Sequence, residues 1–140
     1  MITEYVDAWF RNREKLKKYL ETHPQELYAE SYTDLLKVVI KVIINNPEEI
    51  LDEAKIIEWD PNDYQGDYIW LIPRKDNYHM TTVTDCVFCY IEYGSWRNGQ
   101  LPDERRVKDY MYLSLQLLQN MMTFDEVMQN NQIDYEAYMK

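Results

Sequence analysis

Asp67-Tyr68-Ile69-Trp70-Leu71-Ile72-Pro73 and the run from Val83 to Tyr93 are the two apolar stretches on which the fold of this chain turns. In the first, apolar side chains fall at both alternating positions: Tyr68, Trp70 and Ile72 against Ile69 and Leu71. A strand of that kind is covered on both faces, so it belongs in the middle of a sheet. Lys55 to Trp59 supplies a strand before it, and Thr82 to Tyr93 one after it, ended by Gly94. Asp60-Pro61-Asn62-Asp63-Tyr64-Gln65-Gly66 is made of turn residues, with Gly66 able to take positive φ, and Arg74 to Thr81 is a polar loop. Connections this short predict antiparallel neighbours in a meander.

Helical spacing surrounds the strands. Tyr5, Val6, Trp9, Leu16 and Leu20 make one apolar stripe over residues 3–21, with Ile2 and Phe10 at its margins and Thr3 placed to cap the first turn. Arg11, Arg13, Lys15, Lys17 and Lys18 cluster in its second half, either complementing the helix dipole from a solvated face or forming a patch for an acidic partner. His23-Pro24 ends this helix. A second helical segment begins near Pro24 or Thr33 and runs to Asn45. Its β-branched run Val38 to Ile44 would pass as a strand, but the Thr33-Asp34 cap signal and the Lys37/Lys41 spacing favour a buried helix. Asn46-Pro47-Glu48-Glu49 opens a short helix to about Ala54. A long helix over 103–122 carries Val107, Tyr110, Met111, Leu117, Leu118, Met121 and Met122 as its core stripe, and 124–140 is a short helical tail. The reading is one α+β domain: residues 1–54 helical, 55–94 a three-stranded antiparallel β-meander, then a long C-terminal helix.

Composition narrows the function classes. With 46% hydrophobic residues, 3 Gly and 5 Pro, the chain of 140 residues suits one folded domain. No run reaches the roughly 18 apolar residues of a membrane span. Met1-Ile2-Thr3-Glu4 shows no basic or apolar leader pattern, so a soluble protein with no membrane partner is expected. A net charge of −10 disfavours direct binding to nucleic-acid phosphates and favours a partner with a basic surface. From Glu48 to Asp67 eight acids face one base, Lys55, so this segment holds −7 of that charge.

No constellation points to an enzyme. The acids Glu48, Glu49, Asp52, Glu53, Glu58, Asp60, Asp63 and Asp67 sit in turns and helix starts, where carboxylates are commonly solvated. A triad is not indicated by His23 and His79, and the three glycines have no phosphate-loop spacing. Cys86 and Cys89 have the spacing of a metal or redox knuckle on a turn. Inside a strand, residues three apart point to opposite faces, which predicts two buried structural thiols and no metal or cofactor. Trp96 and Arg97, in the polar loop Gly94-Ser95-Trp96-Arg97-Asn98-Gly99, are of the types that dominate binding hot spots. Trp96 could equally fold back over the sheet edge. The expected partner-binding residues are therefore Glu58, Asp60, Asp63, Asp67, Trp96 and Arg97.

Asp63-Tyr64-Gln65-Gly66 leading into Asp67 to Pro73, then Tyr93-Gly94-Ser95, then Tyr112-Leu113-Ser114-Leu115-Gln116-Leu117-Leu118-Gln119, resembles a group of uncharacterised small proteins of Gram-positive phages and prophages. Those proteins share the Tyr-Gln-Gly turn, the strand ending in Ile-Pro, the strand ending in Tyr-Gly-Ser and a leucine-rich helix. The similarity covers about residues 58–122. They carry two cysteines shortly after Tyr-Gly-Ser, where this chain has Trp96 and Gly99, so no metal or redox role transfers. The resemblance implies a mobile-element origin, with the cytoplasm of an infected or lysogenic bacterial host as the setting. The expected function is that of a non-enzymatic acidic protein binding a basic host or phage protein, as an anti-defence (anti-CRISPR-like) inhibitor. The alternative is a phage accessory protein that acts in assembly by self-association, as a homo-oligomer.

Overall fold

The computed structural model describes residues 1–23, 31–45, 50–59, 68–75, 83–91, 107–130 and 133. Helix α1 spans Thr3–Thr22 and helix α2 spans Ser31–Val39, continuing as a π-helical turn over Ile40–Ile44. A four-stranded antiparallel sheet follows in the order β1-β2-β3-β4: β1 Ile57–Trp59, β2 Tyr68–Ile72, β3 Val87–Ile91 and β4 Met121–Thr123. Helix α3, Val107–Gln119, precedes β4, and helix α4, Phe124–Gln129, follows it directly. The protein is thus α+β. No helix among the described residues is long and apolar enough to cross a membrane.

The sheet separates two cores. On one face Trp70, Ile72, Val87, Cys89, Ile91 and Met121 pack with α1, α2, the π turn and α3. On the other, Ile69, Leu71, Phe88, Tyr90 and Met122 meet Cys86, Val127 and Ile133. The alternation expected for the central strand therefore holds, and β2 is covered on both sides. Trp70 is paired in register with Cys89, which is paired in turn with Met121, so these three make one row beneath the helices. Burying a side chain as large as Trp70 contributes on the order of 3 kcal/mol.

Two tryptophans fasten the layers where apolar contact alone would leave a buried N–H unpaired. The Trp9 Nε1–H of α1 donates to Ser114 Oγ of α3 at 2.8 Å, and the Ser114 O–H donates in turn to the Met111 carbonyl at 2.6 Å. The Trp70 Nε1–H donates to Thr33 Oγ1 of α2 at 2.9 Å. The first bond ties α1 to α3; the second ties α2 to the sheet.

Several sequence expectations change. The meander of three strands is a sheet of four, because Met121 and Met122 leave the helix. Asn120 stops α3: its N–H donates to the carbonyls of Gln116 and Leu117 and its side-chain Nδ2 to that of Gln116, so no further turn forms. The chain then extends, and Met122 pairs with Phe88. Thr3 does not cap α1. The capping position falls on Ile2, whose backbone is extended and which has no side-chain acceptor. The first strand begins at Ile57 rather than Lys55, after a single 3-10 turn over Glu53–Lys55. The third begins at Val87 after another, over Val83–Asp85, whose Val83 carbonyl holds the Cys86 N–H. Of the short helix expected from Asn46 to Ala54, residues 46–49 lie outside the described residues, and Ile50 to Asp52 is extended against the end of β2. The β-branched run from Val38 is helical as read, although it widens to a π turn at Ile40. The basic residues of α1 are exposed and its last turn contains none of them, so dipole complementarity contributes little.

Candidate functional site

The described residue that the sequence singled out for binding, Glu58, lies at the middle of β1, the strand at one end of the sheet. It is exposed, although its register partner Trp70 is fully covered. Beside it Ile57 is 46% exposed, an uncommon placing for an isoleucine in a strand. Asp60, Asp63, Asp67, Trp96 and Arg97 lie outside the described residues. Of the acids upstream, Asp52 forms an ion pair with Lys55 at 3.8 Å, and Glu53 accepts a long hydrogen bond from Asn45 at 3.5 Å. Glu58 is thus the outward carboxylate of this strand.

Upstream of β1 the same edge is closed, and one residue closes it. The Asp52 N–H donates to the Pro73 carbonyl at 2.8 Å and the Lys75 N–H to the Ile50 carbonyl at 3.0 Å, so Leu51 bridges to Arg74 between them. The N–H and C=O of Leu51 itself must then point away from β2. Both are taken by the side chain of Asn45. Its Oδ1 accepts from Leu51 N–H at 3.1 Å, and its Nδ2 donates to the Leu51 carbonyl at 2.7 Å. Ile50 N–H adds a second donor to Oδ1 at 3.1 Å. A primary amide presents a donor and an acceptor side by side, as a strand backbone does. Asn45, only 4% exposed, therefore acts as a one-residue strand. The π turn sets it there: the Asn45 N–H donates to the Ile40 carbonyl, five residues back. The widened turn carries the amide round to the sheet edge. Sequence reasoning missed Asn45, which reads simply as the end of a helix, and it missed the exposure of Ile57.

A second polar group gathers at the same end of β2, on the side of β3. Arg74 Nε donates to the Asp85 carbonyl at 2.9 Å, and its guanidinium also acts on Tyr5 of α1 and on Cys86. Burial raises the pKa of the Tyr5 phenol, with Arg74 opposing. Burial and then the Asp85 carboxylate raise the Cys86 thiol, again against Arg74. Cys89 is buried on the opposite face, where its Sγ–H donates to the Leu117 carbonyl at 3.3 Å and burial pushes its thiol far up. The two cysteines are free and fall in separate cores, although only Cys89 lies in the strand; Cys86 sits just ahead of β3, after the 3-10 turn, so its side is set by that turn and not by strand alternation. A thiol held protonated is a poor nucleophile and a poor metal ligand. Among the described residues no three of His, Cys, Asp and Glu are arranged to hold a metal ion.

At the other edge, α4 starts with a reciprocal cap. Thr123 Oγ1 accepts the Glu126 N–H at 3.3 Å, and Glu126 Oε1 accepts the Thr123 N–H at 3.2 Å. The Met1 ammonium reaches Glu126 Oε2 at 2.6 Å. That ammonium is the main cause that lowers the Glu126 carboxyl; burial opposes it, and the Thr123 N–H adds to the lowering. The arrangement brings the start of α1 to α4. No protein family, curated protein or solved structure matches the chain.

Proposed function

We propose that this chain is a non-enzymatic binding protein of phage type that occupies a basic surface of a host protein, as an anti-defence inhibitor of the anti-CRISPR kind. The observation that carries the reading is the exposed Glu58–Ile57 pair on β1, set in a chain with 25 acids against 15 bases. Carboxylates on an exposed strand can steer a basic partner, and an exposed isoleucine beside them supplies apolar contact once the partner arrives. Both thiols are buried and held protonated, which supports binding rather than covalent chemistry.

The experiment is a pull-down from a bacterial lysate, followed by association kinetics with the protein recovered, at low and high salt. Charge-steered binding slows about tenfold or more as salt rises and competes with the partner's DNA or RNA. Reversing Asp60, Asp63 and Asp67 to Lys slows association further and leaves the fold intact. Association indifferent to salt and to these reversals refutes the reading. Recovery of the chain itself or of virion proteins alone replaces it with a role in assembly.

A further inference from the structure

We infer that β1 is a docking edge for an extended basic segment, which adds to the sheet as a fifth strand beside Glu58. This rests on the acidic-binding reading above and gives that reading a geometry. Hydrogen-bond parity fixes which neighbour each strand residue addresses. The Tyr90 N–H of β3 donates to the Asn120 carbonyl at 3.2 Å, on the β4 side. In an antiparallel ladder successive residues address opposite neighbours. Even-numbered residues of β3 therefore address β4, and Val87, Cys89 and Ile91 address β2. Their partners Ile72, Trp70 and Tyr68 address them in return, which leaves Ile69 and Leu71 to address β1. The Pro73 carbonyl and Lys75 N–H point towards the same side, in keeping with that parity.

Ile69 and Leu71 are paired with Trp59 and Ile57. Those two residues spend their backbone groups on β2, and the N–H and C=O of Glu58 face away from the sheet. At Leu51 the equivalent outward groups are covered by Asn45. Proteins commonly guard such edges with lysine, proline or a bulge. Here the edge is guarded upstream by the Asn45 amide and by the 3-10 turn over Glu53–Lys55, whereas β1 itself carries an exposed isoleucine and a carboxylate.

The chemistry of the occupant follows from the register. Directly opposed residues share a face. The incoming residue opposite Glu58 lies beside a carboxylate and should be lysine or arginine. The residue opposite Ile57 lies on the other face and should be apolar. The segment recognised is one in which basic and apolar residues alternate, held by two backbone hydrogen bonds to Glu58 and by these side-chain pairs. The net charge of −10 attracts such a segment from a distance.

The probe is a short synthetic peptide of alternating lysine and valine, with binding to the full chain followed by calorimetry. Glu58→Pro removes the outward N–H and leaves the bonds from Ile57 and Trp59 to β2 in place; Glu58→Gln keeps the N–H and removes the charge. The peptide is expected to bind the wild type and to bind Glu58→Pro about tenfold more weakly, the size of one lost hydrogen bond with its charge contact. Glu58→Gln should weaken binding and flatten its salt dependence. A peptide N-methylated at alternate backbone nitrogens should also lose binding, and that result decides the matter if Glu58→Pro unfolds. No binding by the peptide overturns the inference. So does equal binding of the methylated and unmethylated peptides, although salt-sensitive binding of both would leave the acidic-binding reading standing. A concentration-dependent dimer that Glu58→Pro abolishes would give the edge to a second copy and overturn the basic occupant.

Discussion

Asn45→Ala tests whether one side chain closes the sheet edge. The amide takes two N–H donors and gives N–H to the Leu51 carbonyl and, at longer range, to Glu53; Leu51, which it serves on both sides, is fully buried. Truncation leaves the Leu51 N–H and C=O without partners in a place water does not reach. A buried orphan of this kind costs about 1–3 kcal/mol, so the pair costs about 2–6 kcal/mol. Ile50 is 40% exposed, so its N–H can turn to solvent and adds little. For a domain of 140 residues the loss should lower the Tm by roughly 10 °C. The assay is thermal unfolding together with hydrogen exchange at the Leu51 amide, whose protection should fall by orders of magnitude while that of Trp70 falls only with global stability. Asn45→Asp sharpens the test. It keeps the acceptor but sets a carboxylate oxygen against the Leu51 carbonyl, so at neutral pH it should be at least as destabilising as alanine. Protonation restores a donor. The folded state then raises the pKa of the new carboxyl above its usual value of about 3.9, and stability is recovered on acidification and lost as pH rises. A Tm within about 1 °C of wild type for Asn45→Ala, or unchanged Leu51 protection, would refute the reasoning.

Other expectations are as direct. Ser114→Ala orphans the Trp9 indole N–H and should cost about 1–3 kcal/mol in urea unfolding, whereas Trp9→Phe should recover part of that loss in the double variant. Trp70→Ala should cost on the order of 3–5 kcal/mol, and an unchanged melting temperature would show that the sheet is placed wrongly. Cys86 and Cys89 should react with thiol reagents only on unfolding; rapid reaction of either in the native protein would contradict their burial. Because burial raises both thiol pKa values, folding favours the protonated forms. Their contribution is complete below the unfolded thiol pKa of about 8.5 and is lost as pH rises above it, so stability should decline at alkaline pH, and less steeply in Cys89→Ala. Thr123→Ala removes one side of the α4 cap and should cost about 1 kcal/mol in the same unfolding assay.

The long periodic segments were legible in the sequence. The stripe Tyr5, Trp9, Leu16, Leu20 forms the buried side of α1, and the two-faced run around Trp70 is a central strand because both of its faces are apolar. What escaped was short or made of non-periodic pieces. Met121–Thr123 is too short to show alternation, and methionine carries no strand preference to set against the leucine-rich helix before it; only Asn120 marks the break. Ile50 to Asp52 read as part of a helix opened at Pro47, but capping preference is worth about 1 kcal/mol, and the bonds of Ile50 and Asp52 to the end of β2 and of Leu51 to the Asn45 amide outweigh it. Of the candidate site, the carboxylate of Glu58 was legible as charge. That its backbone faces outward depends on which neighbour each strand residue addresses, and no residue type encodes that. Asn45 was illegible because its role requires the extra residue of a π turn.

The pairing of α1 with α3 also has a consequence for how the chain is made. Trp9 finds its hydroxyl partner on Ser114, 105 residues later. At synthesis speeds of about 5–20 residues per second, about 5–20 s separates the emergence of the two. During that interval α1 can rest on the π turn, but the side of it meant for α3 has no mate. A ribosome paused before α3 would therefore expose Trp9 to chaperones and proteases. Synonymous slowing of that stretch is expected to lower the yield of folded protein without changing any residue of it.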